Sequence, residues 1–163
     1  MVRPIMKDVL FLNQASEPAT KADLPVVQDL LETLKAHEAD CVGMAANMIG
    51  VKKSIIAINM QIMLVAMINP KIVKQSGPYE TEEACLSLTG MRQTTRYQDI
   101  EIEYYDINFK KQRGHYSGWT AQIIQHEILP DPPESIEQGP TSPAPSDEHF
   151  WIPGVWKQNQ QQK

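Results

Sequence analysis

The chain has 163 residues, 42% of them apolar and 21% charged, with a formal net charge of -5. That length suits one compact domain with a real core, and the composition excludes wholesale disorder and fibrous repeats. The negative balance argues against a general grip on nucleic acid or anionic lipid, so neither a specific nucleic acid partner nor a membrane is expected.

No window carries the roughly 18 apolar residues of a membrane span, and the start of the chain lacks the basic-then-apolar order of a secretory signal; the expectation is a cytoplasmic protein. Two cysteines do not make a disulfide framework, so Cys41 and Cys85 are judged one at a time.

Along the chain, the first periodic stretch runs from Asp23 to His37. Leu24, Val27, Leu30, Leu31 and Leu34 recur at helical spacing, and Pro25 suits a first turn, which predicts an amphipathic helix with one buried face. Ser54 to Met60 and Gln61 to Ile68 are rich in Ile, Val and Met, and they predict buried strands closed by a turn at Asn69-Pro70. Ile100, Ile102, Tyr104 and Ile107 mark a further strand from Asp99. Lys110 to Gly114 predicts the turn before His115, with Lys110, Lys111 and Arg113 as a solvated hairpin tip.

From Ser117 to Leu129 the period becomes helical again: Trp119, Ile123, Ile124 and Ile128 fall on or near one face, and Ser117 or Thr120 can cap the start. Beyond Leu129 the composition shifts. Pro130, Pro132, Pro133, Pro140, Pro143, Pro145 and Pro153 are seven of the chain's twelve prolines. Residues 1–129 therefore read as the folded domain and 130–163 as a proline-rich tail, extended or disordered. Phe150, Trp151, Ile152, Val155 and Trp156 in that tail could dock on the domain or a neighbour, or fray.

Two histidines four residues apart on a helix share a face, so His-Glu-x-x-His can place both imidazoles on one metal with the glutamate as general base. Only the first half is present. His126 and Glu127 are in place, but Pro130 follows where the second histidine would stand, and its side chain offers no donor atom. Cys85 lies 41 residues before His126 in Glu82-Glu83-Ala84-Cys85-Leu86-Ser87-Leu88. Taken alone, such a cysteine reads as a small core residue.

Together, however, Cys41-Val42-Gly43-Met44-Ala45-Ala46-Asn47-Met48, Glu83-Ala84-Cys85-Leu86-Ser87 and Gln125-His126-Glu127 resemble, in order and spacing, the three motifs of peptide deformylases: Gly-x-Gly-x-Ala-Ala-x-Gln, Glu-Gly-Cys-Leu-Ser and Gln-His-Glu-x-Asp-His. The resemblance covers residues 1 to 129. It implies an α+β fold, with antiparallel sheets around a central helix carrying His126 and the Asp23 to His37 helix packed outside. By that resemblance Cys85 and His126 are metal ligands, Glu127 is the general acid and base, and the backbone around Leu86 donates to the reacting carbonyl oxygen. Val42 and Gly43 approach a peptide as an extended strand would, and Trp119 and Ile123 line a methionine pocket; simple core packing is the plainer reading of the last two.

The function so implied is a metal-dependent amide hydrolase that removes the N-formyl group from N-formylmethionyl peptides or nascent chains. The divalent metal is iron(II) by resemblance, with zinc or nickel also compatible with mixed sulfur and nitrogen ligands. Cys41, Met48, Ala84 and Leu129 depart from the pattern, and with Pro130 they imply impaired activity: Met48 cannot donate an amide hydrogen bond, and two protein ligands stand where three are usual. The alternative is an inactive deformylase-like peptide-binding protein. His149, Asp131 and Glu134 are the candidates for a substitute ligand; His115 reads as a strand or turn residue and His37 as a helix-end surface residue.

Overall fold

The computed structural model describes residues 1–12, 14–39, 41–85 and 88–128. Its frame is a five-stranded antiparallel sheet in the order β1-β2-β3-β4-β5. The strands are β1 Gly43–Ala45, β2 Ile55–Asn59, β3 Leu64–Cys85, β4 Leu88–Tyr105 and β5 Lys111–Ser117. A short helix α1, Val9–Leu12, precedes α2, Leu24–Ala36, and the described chain ends in α3, Gly118–Ile128. Helices and antiparallel strands in one domain make the α+β class expected. No helix among the described residues is long and apolar enough to cross a membrane.

Because successive strand residues face opposite ways, each face of the sheet receives one helix. Ile55, Ala57, Ala66 and Ile68 point into a core with Val27, Leu30 and Leu34 of α2. Ile56, Ile58 and Met67 point the other way, into a core with Ile100, Ile102 and Ala121, Ile123 and Ile124 of α3. Burial on both faces explains why Ile55-Ile56-Ala57-Ile58 reads as an unbroken apolar run instead of an alternating one. Pro25 sits in the first turn of α2, as its fixed φ allows, and the helix ends at Ala36 with His37 as its C-cap.

Two expected turns are placed differently. The connection between β2 and β3 lies at Met60 to Met63, where Gln61 adopts φ 71° and its N–H donates to Asn59 Oδ1 at 2.9 Å. Asn69-Pro70 is not a turn but lies inside β3, at an irregularity in the pairing with β4 between Ile68 and Lys71. A proline that cannot donate and an asparagine at φ 51° are tolerated at such a slip in the ladder. The Asn69 carboxamide is used as well: its Oδ1 accepts from Ala19 N–H at 2.8 Å and its Nδ2 donates to Ala19 C=O at 3.0 Å.

Lys110 to Gly114 does not form the second turn either. The reversal is at Asp106 to Lys110, where the Asp106 carboxylate accepts from the N–H groups of Asn108 and Lys110, and β5 starts at Lys111. Gly114 is a strand residue because the ring of Tyr116 lies over it: a Cβ there would sit 2.8 Å from Tyr116 Oη. Lys111 and Arg113 are cross-strand partners, Lys111 Nζ at 3.0 Å from Glu103 and Arg113 Nη2 at 2.6 Å from Glu101. Exposed pairs of this kind set register more than stability.

Candidate active site

Helix α3 carries the site. Gly118, at φ 59°, turns the chain out of β5 directly into the helix, so Ser117, one of the expected caps, is the last residue of the strand. From Ala121 to Glu127 every residue of α3 is buried. His126 and Glu127 are therefore interior groups: their side chains are only 5% and 3% exposed, and His126 Nε2 lies 3.7 Å from Glu127 Oε1. An imidazole and a carboxylate out of water and beside one another make a site for proton transfer, in which neither group is screened by solvent.

Gly43 explains how the helix comes so close to the sheet. A Cβ on Gly43 would fall 2.8 Å from Ile123 Cγ2 and 3.2 Å from Glu127 Cγ, two side chains one helical turn apart. The second glycine of the first motif thus serves as the seat of the helix that presents Glu127. Gly43→Ala is expected to destabilise the fold by about 1–3 kcal/mol through overpacking and to push Glu127 aside. A fall in thermal midpoint together with a fall in kcat/KM checks this; an alanine variant with wild-type midpoint would contradict the contact.

The other expected site residues divide clearly. Val42 is half-buried beside the α3-side core, and its carbonyl accepts from Asn59 N–H at 2.9 Å. With Gly43 it stands at the end of the sheet, where β1 has a neighbouring strand on one side only among the described residues. Trp119 is half-buried in the first turn of α3, whereas Ile123 is 2% exposed and packs in the core against Gly43. The backbone of Cys85 ends β3 opposite Leu88. Leu86, Leu129, Pro130, Asp131, Glu134 and His149 lie outside the described residues.

Met48 is buried with the α2-side core, and its Sδ accepts from Ala45 N–H at 3.5 Å, so the side chain that replaces an amide is engaged in packing. His115 is an exposed residue of β5, 3.4 Å from Asp99, and His37 bonds through Nδ1 to Thr33 C=O at 2.9 Å; both have the structural roles expected of them. At the rim of the α3-side core, Tyr104 and Tyr116 lie half-buried. Burial, then a hydrogen bond with Tyr104, pushes the Tyr116 phenol up to about 12, so it is neutral at neutral pH.

As to a metal, His126 supplies an imidazole of the right kind and Glu127 a carboxylate, but no group of three or more His, Cys, Asp or Glu is gathered among the described residues. The described donors fit part of a ligand set. Cys85 is the cysteine of the second motif in the sequence, and the side chain of Pro130 has no donor atom.

The buried His126–Glu127 pair, on a helix laid against an antiparallel sheet, matches the first half of the His-Glu-x-x-His pattern of metal-dependent hydrolases. The polypeptide deformylase family model matches residues 3–128. A peptide deformylase of Clostridium beijerinckii is 56% identical over 128 residues, 78% of this chain and 94% of the relative; one from Thermoanaerobacter pseudethanolicus is 30% identical over 131 residues, 78% and 80% of the two chains. Among solved structures, a peptide deformylase from Legionella pneumophila superposes with a TM-score of 0.71 at 26% identity over 78% of this chain and 79% of its own. One from Thermus thermophilus gives 0.68 at 28%, over 78% of each. The chain belongs to the polypeptide deformylase family, a family of metalloenzymes.

What the motifs did not disclose is the work of Gln125, the third buried polar residue at this end of α3. Its signal was a glutamine inside a helix segment otherwise flanked by isoleucines, where an uncharged polar side chain has to find partners.

Proposed function

We propose that this chain removes the N-formyl group from N-formylmethionyl peptides and nascent chains in the cytoplasm. The buried His126–Glu127 pair, pressed onto the terminal strand of the sheet at Gly43, carries the reading. A substrate peptide adds along the outer edge of β1, Val42 and Gly43 offering the extended backbone that such pairing needs. Trp119 borders the methionine side chain, with Ile123 behind it.

Cys85 and His126 would hold the divalent metal, iron(II) by family likeness, with zinc and nickel as alternatives. When bound, the metal supplies Lewis-acid activation of water for attack on the formyl carbon. Glu127 would carry a proton from the attacking water to the departing amine nitrogen as the C–N bond breaks, leaving formate and a free N-terminus. The backbone N–H near Leu86 donates to the carbonyl oxygen. With no amide donor at Met48, the expected rate is about 10²- to 10³-fold below that of a site possessing one.

Metal content and formate release test the proposal together. Protein purified without chelator is expected to carry one divalent ion per chain, lost in Cys85→Ser, and to release formate slowly from a formyl-Met peptide. Peptide binding with neither metal nor formate release would replace this reading with that of an inactive peptide-binding relative, for which the absence of a donor at Pro130 is the specific argument.

A further inference from the structure

Strand β5 ends before β4 does: the last pair of their ladder is Asp99 with Ser117, and β4 continues back past Tyr97 without a neighbour strand on that side among the described residues. The N–H and C=O of Tyr97 are met instead by a side chain. Gln125 Oε1 accepts from Tyr97 N–H at 2.8 Å, and Gln125 Nε2 donates to Tyr97 C=O at 2.8 Å. The second hydrogen of that amide goes to Ala121 C=O, one turn back in α3, at 3.0 Å. Only a primary amide offers an acceptor and two donors on one planar group of this reach. Gln125 is itself 1% exposed, so an unmet hydrogen-bonding group on its carboxamide would be costly.

We propose that Gln125 is a positioning residue of the enzyme: its carboxamide acts as one more rung of the sheet beyond β5 and thereby sets the rotation of the turn of α3 that presents His126 and Glu127. Residues two apart on a helix lie about 200° around its axis, so Gln125 fastens α3 to β4 while Ile123 and Glu127 seat it on β1 from the far side. One anchor fixes the height of the helix above the sheet, and the other fixes its rotation. The reach of this proposal to metal and substrate rests on the function proposed above, but the anchoring itself does not.

Amide hydrogen exchange on metal-free protein separates the two. Gln125→Met keeps the length and removes every hydrogen bond; exchange at Tyr97 and at residues 125–128 is expected to quicken by about 10-fold or more, with α2 and β2 keeping wild-type protection. Gln125→Glu should show the same loss at neutral pH and recover once the carboxyl is protonated, because a neutral carboxyl again offers one acceptor and one donor to Tyr97. Binding of Co²⁺, read by its absorption bands, is expected to weaken by about 10- to 100-fold, as for other groups that orient a ligand from behind, and kcat to fall with KM little changed. Unchanged local protection in Gln125→Met would overturn the proposal. So would equal acceleration across α2, β2 and α3, which is the mark of a general loss of stability. Should wild-type protein neither bind Co²⁺ nor release formate, the proposed function fails while the exchange data still decide the anchor.

Discussion

Replacing Glu127 with alanine is expected to lower kcat/KM for a formyl-Met peptide by about 10²- to 10⁴-fold, the usual range for removing a general acid-base group. The carboxylate lies 3.7 Å from His126 Nε2, and at 3% exposure it is shielded from bulk water, so solvent is poorly placed to take over its proton transfer. Glu127→Gln sharpens the result. The amide keeps the packing against Gly43 but cannot accept a proton, so a loss equal to that of alanine assigns the effect to chemistry and not to a hole beside β1. Metal content should persist in both variants, because Glu127 is proposed as a proton carrier and Cys85 and His126 as ligands. Formate release at the wild-type rate in either variant would remove Glu127 from the mechanism.

Leu30→Ala should produce the largest change in stability, about 2–5 kcal/mol, a sizeable share of the 5–15 kcal/mol typical of a single domain. Leu30 is fully buried on the inner face of α2, in the same core as Leu34, Met44, Ile55, Ala57 and Ile68. Truncation leaves a cavity that neither a backbone-bonded helix nor a strand already paired on both sides can collapse to fill. Since α2 and α3 occupy opposite faces of the sheet, kcat/KM measured where the variant is still folded should change little. Denaturant unfolding checks the first part; a loss under about 1 kcal/mol would show that the α2 face is looser than its burial implies.

Helix α2 was legible because helical periodicity is a local property: Val27, Leu30 and Leu34 repeat at the spacing that one buried face demands, whereas α3, foreseen from Trp119, Ile123, Ile124 and Ile128, is buried all round from Ala121 to Glu127. Gln125-His126-Glu127 was legible for a different reason, as a short run that resembles a family motif, and the family model matches residues 3–128. Turns were read less well. Asn69-Pro70 and the run ending at Gly114 have turn-forming composition, yet a gap in the ladder uses the first pair and the Tyr116 ring occupies the space above the glycine. Turn residues report the backbone that a position tolerates, and several structures share that requirement.

Sequence alone determined the two principal helices, which depend on residues close together in the chain, and the family, through three short motifs met in order. Tertiary structure decided the rest. The apolar run of β2 carries no sign of which isoleucine meets which helix, and only the pairing of β2 with β1 and β3 turns Ile55 toward α2 and Ile56 toward α3. Gly43 proved to be the seat of Glu127, and Gln125 the rung that completes β4, through contacts spanning 84 residues (127 minus 43) and 28 residues of chain. Such roles arise where a close approach or an unmet backbone pair is created by the fold, and neither exists until distant segments are brought together.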